Sequence, residues 1–135
     1  ETLTDYEIGT WTPVMASTSA TFHNSSNVGV YTKIGDVVYV GVRVYHGSAA
    51  SGTLTNAVTI TGLPFTSRSG IGTTGLAQGN AQFLNTTGGP IVFGVKSSAA
   101  IIYMGLNPSD AIGTAALATS CDHNDMLLEL SGHYV

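Results

Sequence analysis

The segment at residues 29–44, GVYTKIGDVVYVGVRV, constrains the fold more than any other part of this chain. It predicts two strands joined by a tight turn at Gly35 and Asp36. The second strand alternates between two sets of side chains, which are Val38, Val40, Val42 and Val44 on one face and Tyr39, Gly41, Arg43 and Tyr45 on the other. Strict alternation is typical of a half-buried antiparallel strand. A long, flat strand of this kind needs cover, and a partner subunit is one source of it.

Charged residues are scarce in this chain of 135 residues, since they make up 9% of it, against about 25% in ordinary soluble domains. The net charge is −4 and only four residues are Lys or Arg, whereas nucleic acid requires clustered basic side chains. Seventeen glycines favour an all-β domain with many turns. No apolar run reaches the roughly 18 residues of a membrane span. We therefore expect one domain, residues 1–135, that binds no nucleic acid and is not membrane-embedded.

Turn signals divide the chain into about eight to ten short strands, the pattern of an antiparallel β-sandwich or jelly roll. Residues 47–52, GSAASG, predict a loop. Residues 112–118 are compatible with a strand or one helical turn, and residues 126–135 with one last strand or a strand pair. Two further hairpins are predicted, joining residues 71–78 to 81–84 around Gly79-Asn80 and residues 91–96 to 100–106 around Ser97-Ser98.

Four motifs occur in an order that resembles the C-terminal domains of bacteriophage tail fibres, tailspikes and tail needles. They are GTWTPV at residues 9–14, the segment at 29–44, ITGLPF at 60–65, and a final Gly132-His133-Tyr134. The resemblance covers most of the first half and the extreme C-terminus. It implies a β-sandwich knob, sometimes a tumour-necrosis-factor-like jelly roll, that forms a homotrimer at the distal tip of a virion tail appendage. Its framework residues would be Trp11, Tyr31, Ile34, Val38 and Phe65.

The resemblance also sets expectations for function. Such knobs register and trimerise the fibre, and many contact the host surface from outside the cell, so we expect a host-attachment domain. The first residues lack an initiator Met and a signal-peptide pattern, so we expect the chain to be a fragment of a longer fibrous protein. The alternative is a purely structural tip that registers the trimer or penetrates the envelope without a receptor.

Motifs for catalysis and for cofactors are weak. Residues 70–75 spell G-x-G-x-x-G, but no acidic residue follows at the spacing of a dinucleotide site, and turn glycines explain the motif better. Asp5 and Glu7 would share one face of an extended segment, yet solvated charge accounts for them better than glycoside cleavage. We therefore expect no enzyme and no cofactor.

Metal binding is also a weak prospect. Cys121, His123 and Asp125 make an incomplete ligand set, since structural zinc sites take four ligands. A metal site between chains is the remaining alternative for a histidine such as His133, because in a trimer three copies of it can meet on the threefold axis. The sequence therefore predicts no metal site within one chain.

Receptor binding is expected on loops, which a rigid sheet supports while leaving them free to vary. Sugar recognition uses aromatic faces and neutral hydrogen-bonding groups, and the chain is rich in Tyr, Asn, Ser and Thr. The predicted partner is a host cell-surface glycan or an outer-membrane component. The candidate receptor-binding residues are Tyr45, His46, Asn107, Asp110, Asp122, His123, Asn124 and Asp125.

Overall fold

The computed structural model describes residues 5–24, 26–46, 51–52, 58–69, 73–82, 91–106 and 126–135. These residues form eleven β-strands, and none of them lies in a helix. The strands are β1 (Tyr6–Trp11), β2 (Val14–Ala16), β3 (Ala20–Thr21), β4 (Val28–Ile34), β5 (Val37–His46), β6 (Ser51–Gly52), β7 (Thr59–Thr61), β8 (Thr73–Gln82), β9 (Ile91–Lys96), β10 (Ile101–Leu106) and β11 (Met126–Tyr134).

Nine of these strands form one antiparallel sheet in the order β1-β4-β5-β11-β8-β9-β10-β7-β2, and β3 pairs with β6 in a separate ribbon. The two strands at the ends of the large sheet, β1 and β2, are separated by only Thr12 and Pro13 in the sequence. The carbonyl of Thr12 also lies close to Gly62, just beyond β7. The predicted all-β antiparallel class is therefore confirmed, with two sheets.

The core is built from the inner face of this sheet. Val38, Val40, Val42 and Val44 are all buried, so the alternation of β5 is confirmed. They belong to one apolar cluster with residues of β2, β7, β9, β10 and β11. Strands from both halves of the sheet thus share one core, which requires the sheet to fold over on itself. The other members of this cluster are Met15, Phe22, Val58, Ile60, Leu63, Phe93, Val95, Ile102, Leu128, Leu130 and Tyr134.

Two of the predicted hairpins are present. β4 and β5 pair from Val28↔Arg43 to Ile34↔Val37, and Gly35 in their turn has a φ of +58°. Only glycine adopts this left-handed conformation without steric cost, which explains its place in the turn. β9 and β10 pair around a turn that contains Ser98, also at a φ of +58°.

The predicted hairpin around Gly79-Asn80 is wrong. β8 continues through both residues, and Gly79 pairs with Leu130 while Asn80 pairs with Glu129. The long neighbouring strand β11 supplies hydrogen-bond partners along this stretch, so non-local pairing overrides the local turn signal. β8 also begins inside the G-x-G-x-x-G motif, at Thr73, so this part of the motif lies in a strand.

The structure also decides other local expectations. Of the two alternatives for residues 126–135, the single last strand is confirmed as β11. Ser51 and Gly52, predicted to lie in a loop, pair with Thr21 and Ala20. Residues 47–50, 83–84, 107–110, 112–118 and 122–125 carry further expectations and lie outside the described residues.

Two glycine–aromatic pairs join β1 to β4. Gly9 pairs with Tyr31, and Trp11 pairs with Gly29. A Cβ on Gly9 would lie 2.7 Å from the Tyr31 ring, and one on Gly29 would lie 2.5 Å from Trp11 Cε2. Each aromatic ring therefore lies over the bare backbone of the opposite glycine. This reciprocal packing explains why the G-T-W and G-V-Y motifs occur together.

The framework residues implied by the resemblance divide into two groups. Val38 is buried, and Trp11, Tyr31 and Phe65 pack partly buried against the core. Ile34 is different, because it is an exposed residue on the other face of β4. Ile34 therefore does not belong to the core of the single chain.

Candidate interaction surface

The sheet face that points away from the core carries large apolar side chains. In β1, β4 and β5, six of them are 38 to 64% exposed. Soluble monomers rarely expose apolar patches of more than a few hundred Å², and larger ones mark interaction sites. Together the six side chains form an apolar patch, which consists of Tyr6, Ile8, Val28, Val30, Ile34 and Tyr39.

The strand register makes the apolar patch continuous. Tyr6 lies opposite Ile34 across β1 and β4. Thr32 lies between Ile8 on one side and Tyr39 on the other. Since directly paired residues share a face of an antiparallel sheet, these side chains are neighbours.

A shallow groove opens on the same face, with a volume of about 230 Å³. Gly41 leaves room for it, because an added Cβ there would lie 3.1 Å from Val30 Cγ2. The lining is apolar except for one ion pair at its edge, between Arg43 Nε and Glu129 Oε1 at 3.8 Å. The groove is therefore suited to an apolar side chain more than to a charged ligand. Its lining residues are Val28, Val30, Gly41, Val42, Arg43 and Glu129.

The ion pair at the groove edge contributes little to stability. Both side chains are 53% exposed, and pairs of this kind are worth about 0–1 kcal/mol. At the other end of the same face, the rings of Tyr39 and His133 lie 5.9 Å apart and tilted by 42°. His133 thus lies beside the apolar patch.

The sequence pattern alone missed the apolar patch. The signal was present in β4, where Val28, Val30 and Ile34 alternate with Gly29, Tyr31 and Lys33. Both sets contain apolar residues, so periodicity does not decide which of them faces the core. The pairing with β5 decides it, because Tyr31 lies opposite buried Val40.

The acidic residues near the N-terminus have partners in the structure. Asp5 forms an ion pair with Lys33 at 2.6 Å. Glu7 accepts a hydrogen bond from the Tyr31 hydroxyl, and this bond, partial burial and the carboxylate charge raise the pKa of Tyr31. The two carboxylates are therefore engaged by different groups on β4, which does not favour a role as a paired acid and base.

Of the candidate receptor-binding residues, Tyr45 and His46 are described, and they form the end of β5. His46 pairs with Met126, the residue that follows Asp125 in the sequence. Pairing thus places Tyr45 and His46 beside the start of β11, which the sequence did not predict. The other candidates, Asn107, Asp110, Asp122, His123, Asn124 and Asp125, lie outside the described residues.

An asparagine network supports this end of β5. Asn27 Oδ1 accepts a hydrogen bond from the Tyr45 backbone N–H at 3.1 Å. Asn27 Nδ2 donates to Pro13 O at 2.8 Å and to Asn24 Oδ1 at 2.7 Å. Asn24 Oδ1 also accepts from the Met15 N–H at 2.8 Å. Side-chain amides therefore connect β2, β5 and the segment before β4.

The described parts of the chain contain no group of three or more His, Cys, Asp or Glu residues placed to hold a metal ion. Cys121, His123 and Asp125 lie outside these parts. The described residues include no helix long and apolar enough to cross a membrane.

Comparison with known proteins gives a structural likeness. No protein-family model matches the chain, and no curated protein matches it. Among solved structures, the chain is similar to the crystal structure of Dettilon tailspike protein (gp208), with a TM-score of 0.73 and 18% sequence identity. The match covers 96% of this chain and 23% of that chain. The fold is therefore shared with part of a phage tailspike, and this chain spans less than a quarter of that protein's length.

Proposed function

We propose that this chain is the C-terminal knob of a bacteriophage tail appendage and that it attaches the virion to its host. The knob forms a homotrimer at the tip of the appendage and acts outside the cell. It binds a host cell-surface glycan or an outer-membrane component, without catalysis or a cofactor. The observation that carries the proposal is the fold that nearly the whole chain shares with part of a phage tailspike.

Two features of the chain support attachment. Tyr45 and His46 end a strand that is paired with β11 on one side, and on the other side the Asn27 side chain accepts a hydrogen bond from the Tyr45 N–H, so both sides of this strand end have partners. The adjoining segments are rich in Asn, Asp, Ser and His, which suit polar recognition. Three weak sites on one rigid knob, repeated on several appendages, give strong adhesion by avidity.

The alternative is a structural tip that only registers the trimer or penetrates the envelope. The apolar patch favours this alternative, because aliphatic side chains offer few hydrogen bonds to a sugar and suit contact between protein chains. The two functions differ in one observable, which is binding to cells.

The first experiment measures mass in solution by light scattering, and binding of the fluorescent protein to a panel of bacterial strains. Three chains of 13.9 kDa give about 42 kDa. A trimer that labels some strains supports attachment, and a trimer that labels none supports the structural tip. A monomer that labels no strain contradicts the proposed function.

The second experiment locates the binding loops. A variant in which Asp110, Asp122 and Asp125 are all changed to Asn should keep the mass of the trimer and label cells more weakly. Asp36→Asn is the control, because Asp36 lies in the β4–β5 turn, at the opposite end of β5 from Tyr45. Unchanged labelling by the triple variant would show that these three residues are not part of the site.

A further inference from the structure

We infer that the apolar patch is the surface through which copies of this chain contact one another. This inference rests on the proposed trimer and deepens it by naming the face that assembles. The sequence predicted a need for cover on the long strand β5, and the structure shows exposed apolar side chains on β5 and on its neighbours β4 and β1. Val28 and Val30 of β4 and Ile8 of β1 are more than half exposed in the single chain.

The size of the surface fits a contact between proteins. The exposed parts of the six side chains amount to on the order of 500 Å², the upper end of what a typical monomer shows. Thr10, Arg43, Glu129 and Ser131 extend the same face and are exposed. With them the face approaches the roughly 800 Å² per partner that a stable protein–protein contact buries.

The charges on the face favour a second copy over a charged partner. Arg43 and Glu129 are opposite in sign and adjacent, so they leave the face with no net charge. A surface for an anionic polysaccharide or a basic protein would carry an excess of one sign. A neutral face meets a neighbouring copy without like-charge repulsion, and every copy carries such a face.

The chemistry of the patch also favours a protein surface over a glycan. Its members are aliphatic or tyrosine, and interface centres are enriched in aromatic residues and depleted of Lys, Glu and Asp. The groove over Gly41 provides a hollow of about 230 Å³, enough to receive one apolar side chain of a neighbouring copy. Burying such side chains in well-packed hollows supplies much of the affinity of a protein contact.

The test places a charge at the centre of the patch and measures the mass of the protein by light scattering. Val30→Glu should reduce a trimer of about 42 kDa to a monomer of 13.9 kDa, because a carboxylate at a contact between chains must lose its water on association. Val14→Glu is the matched control. Val14 is also an exposed valine, at 38%, but it lies on β2, which contributes no residue to the patch. The control should stay trimeric.

A second variant separates loss of contact from loss of fold. Ile8→Glu changes the most exposed residue of the patch, on edge strand β1, and should also give a monomer. Far-ultraviolet circular dichroism checks that each variant keeps its β-structure. If a folded variant with Glu at position 8 or 30 remains trimeric, the inference is wrong, while the proposed function stands.

The wild-type protein distinguishes the remaining outcomes. A wild-type monomer across the accessible concentration range overturns the inference. If that monomer still labels cells, the attachment function survives, and if it labels none, both proposals fail. If the Val14→Glu variant dissociates as well as the Val30→Glu variant, the inference is also wrong, because the effect would then not be specific to the patch.

Discussion

At the scale of single residues, two glycines explain how two aromatic side chains are placed. Gly9 and Gly29 lie opposite Tyr31 and Trp11 in the β1–β4 pair, and neither has room for a Cβ. Tyr31 also makes an edge-to-face contact with Phe65, with ring centroids 5.4 Å apart. These contacts connect the edge of the sheet to the core, so the addition of one methyl group there should disturb the packing and lower stability.

Gly29→Ala should destabilise the protein by about 1–3 kcal/mol, because its Cβ would overlap the Trp11 ring and force it to move. Urea unfolding followed by tryptophan fluorescence measures the change. Gly41→Ala is the control, since its Cβ would meet only the exposed Val30 side chain at 3.1 Å. Equal destabilisation by both variants would contradict the packing explanation.

The burial of Tyr134 should make the stability of the protein depend on pH in the alkaline range. Its ring is buried, and its hydroxyl donates to Phe65 O at 3.1 Å and accepts from Phe65 N at 3.2 Å. Burial raises the pKa of Tyr134 from 10.0 to about 12. The folded protein therefore holds this proton more tightly than the unfolded chain. The resulting stability is fully present below pH 10 and is lost as the pH rises toward about 12.

The expected loss over this pH range is about 2–3 kcal/mol. Tyr134→Phe should lower stability near neutral pH by about 1 kcal/mol, through the lost hydrogen bonds, and should remove most of the alkaline loss. Chemical unfolding at a series of pH values measures both effects. Tyr31→Phe is the comparison, because the Tyr31 pKa is also raised but its ring is less buried. An alkaline loss that persists in Tyr134→Phe would exclude this tyrosine as its source.

At the scale of elements, long-range strand pairing takes precedence over local signals. β11 pairs with β5 on one side and β8 on the other, over nearly its full length. β8 therefore stays extended through Gly79 and Asn80, although these residues are typical of a turn. By contrast, the short segments next to β5 depend on side chains, since Asn24 and Asn27 supply hydrogen bonds that no strand provides.

Asn27→Ala should cost about 1–3 kcal/mol, because it removes the hydrogen bonds to Pro13, Asn24 and the Tyr45 amide. Native-state hydrogen exchange should show faster exchange at the Tyr45 amide. Asn27→Asp is the informative partner variant, since it keeps the acceptor for this amide and loses the donor to Pro13. Protection of the Tyr45 amide should therefore survive in Asn27→Asp. If the Tyr45 amide still exchanges slowly in Asn27→Ala, the asparagine network does not stabilise this end of β5.

At the scale of the whole molecule, stability depends on apolar packing far more than on charge. One core cluster joins strands from both halves of the folded sheet. The ion pairs of Lys33 with Asp5 and of Arg68 with Asp36 include at least one well-exposed partner each. Such pairs contribute about 0–1 kcal/mol and weaken in salt.

The free energy of unfolding should therefore change by less than about 1 kcal/mol between low salt and about 1 M sodium chloride. Urea is the suitable denaturant, since guanidinium chloride is itself a salt. Asp5→Asn serves as the companion variant, because it removes the 2.6 Å ion pair with Lys33, and it should cost no more than about 1 kcal/mol. A strong salt dependence would mean that charge contributes more than the described contacts indicate.

The sequence by itself determined the all-β class, the two faces of β5 and the turns at Gly35 and at Ser97-Ser98. These features are local, because they depend on a period of two residues and on backbone conformations that few residues adopt. Only the tertiary structure decided that β8 is continuous, that Tyr45 and His46 lie beside the start of β11, and that the apolar patch faces outward. Each of these depends on which distant strand is the neighbour. In β4 both faces contain apolar residues, so only its pairing with β5 decides which face enters the core and which remains for a partner.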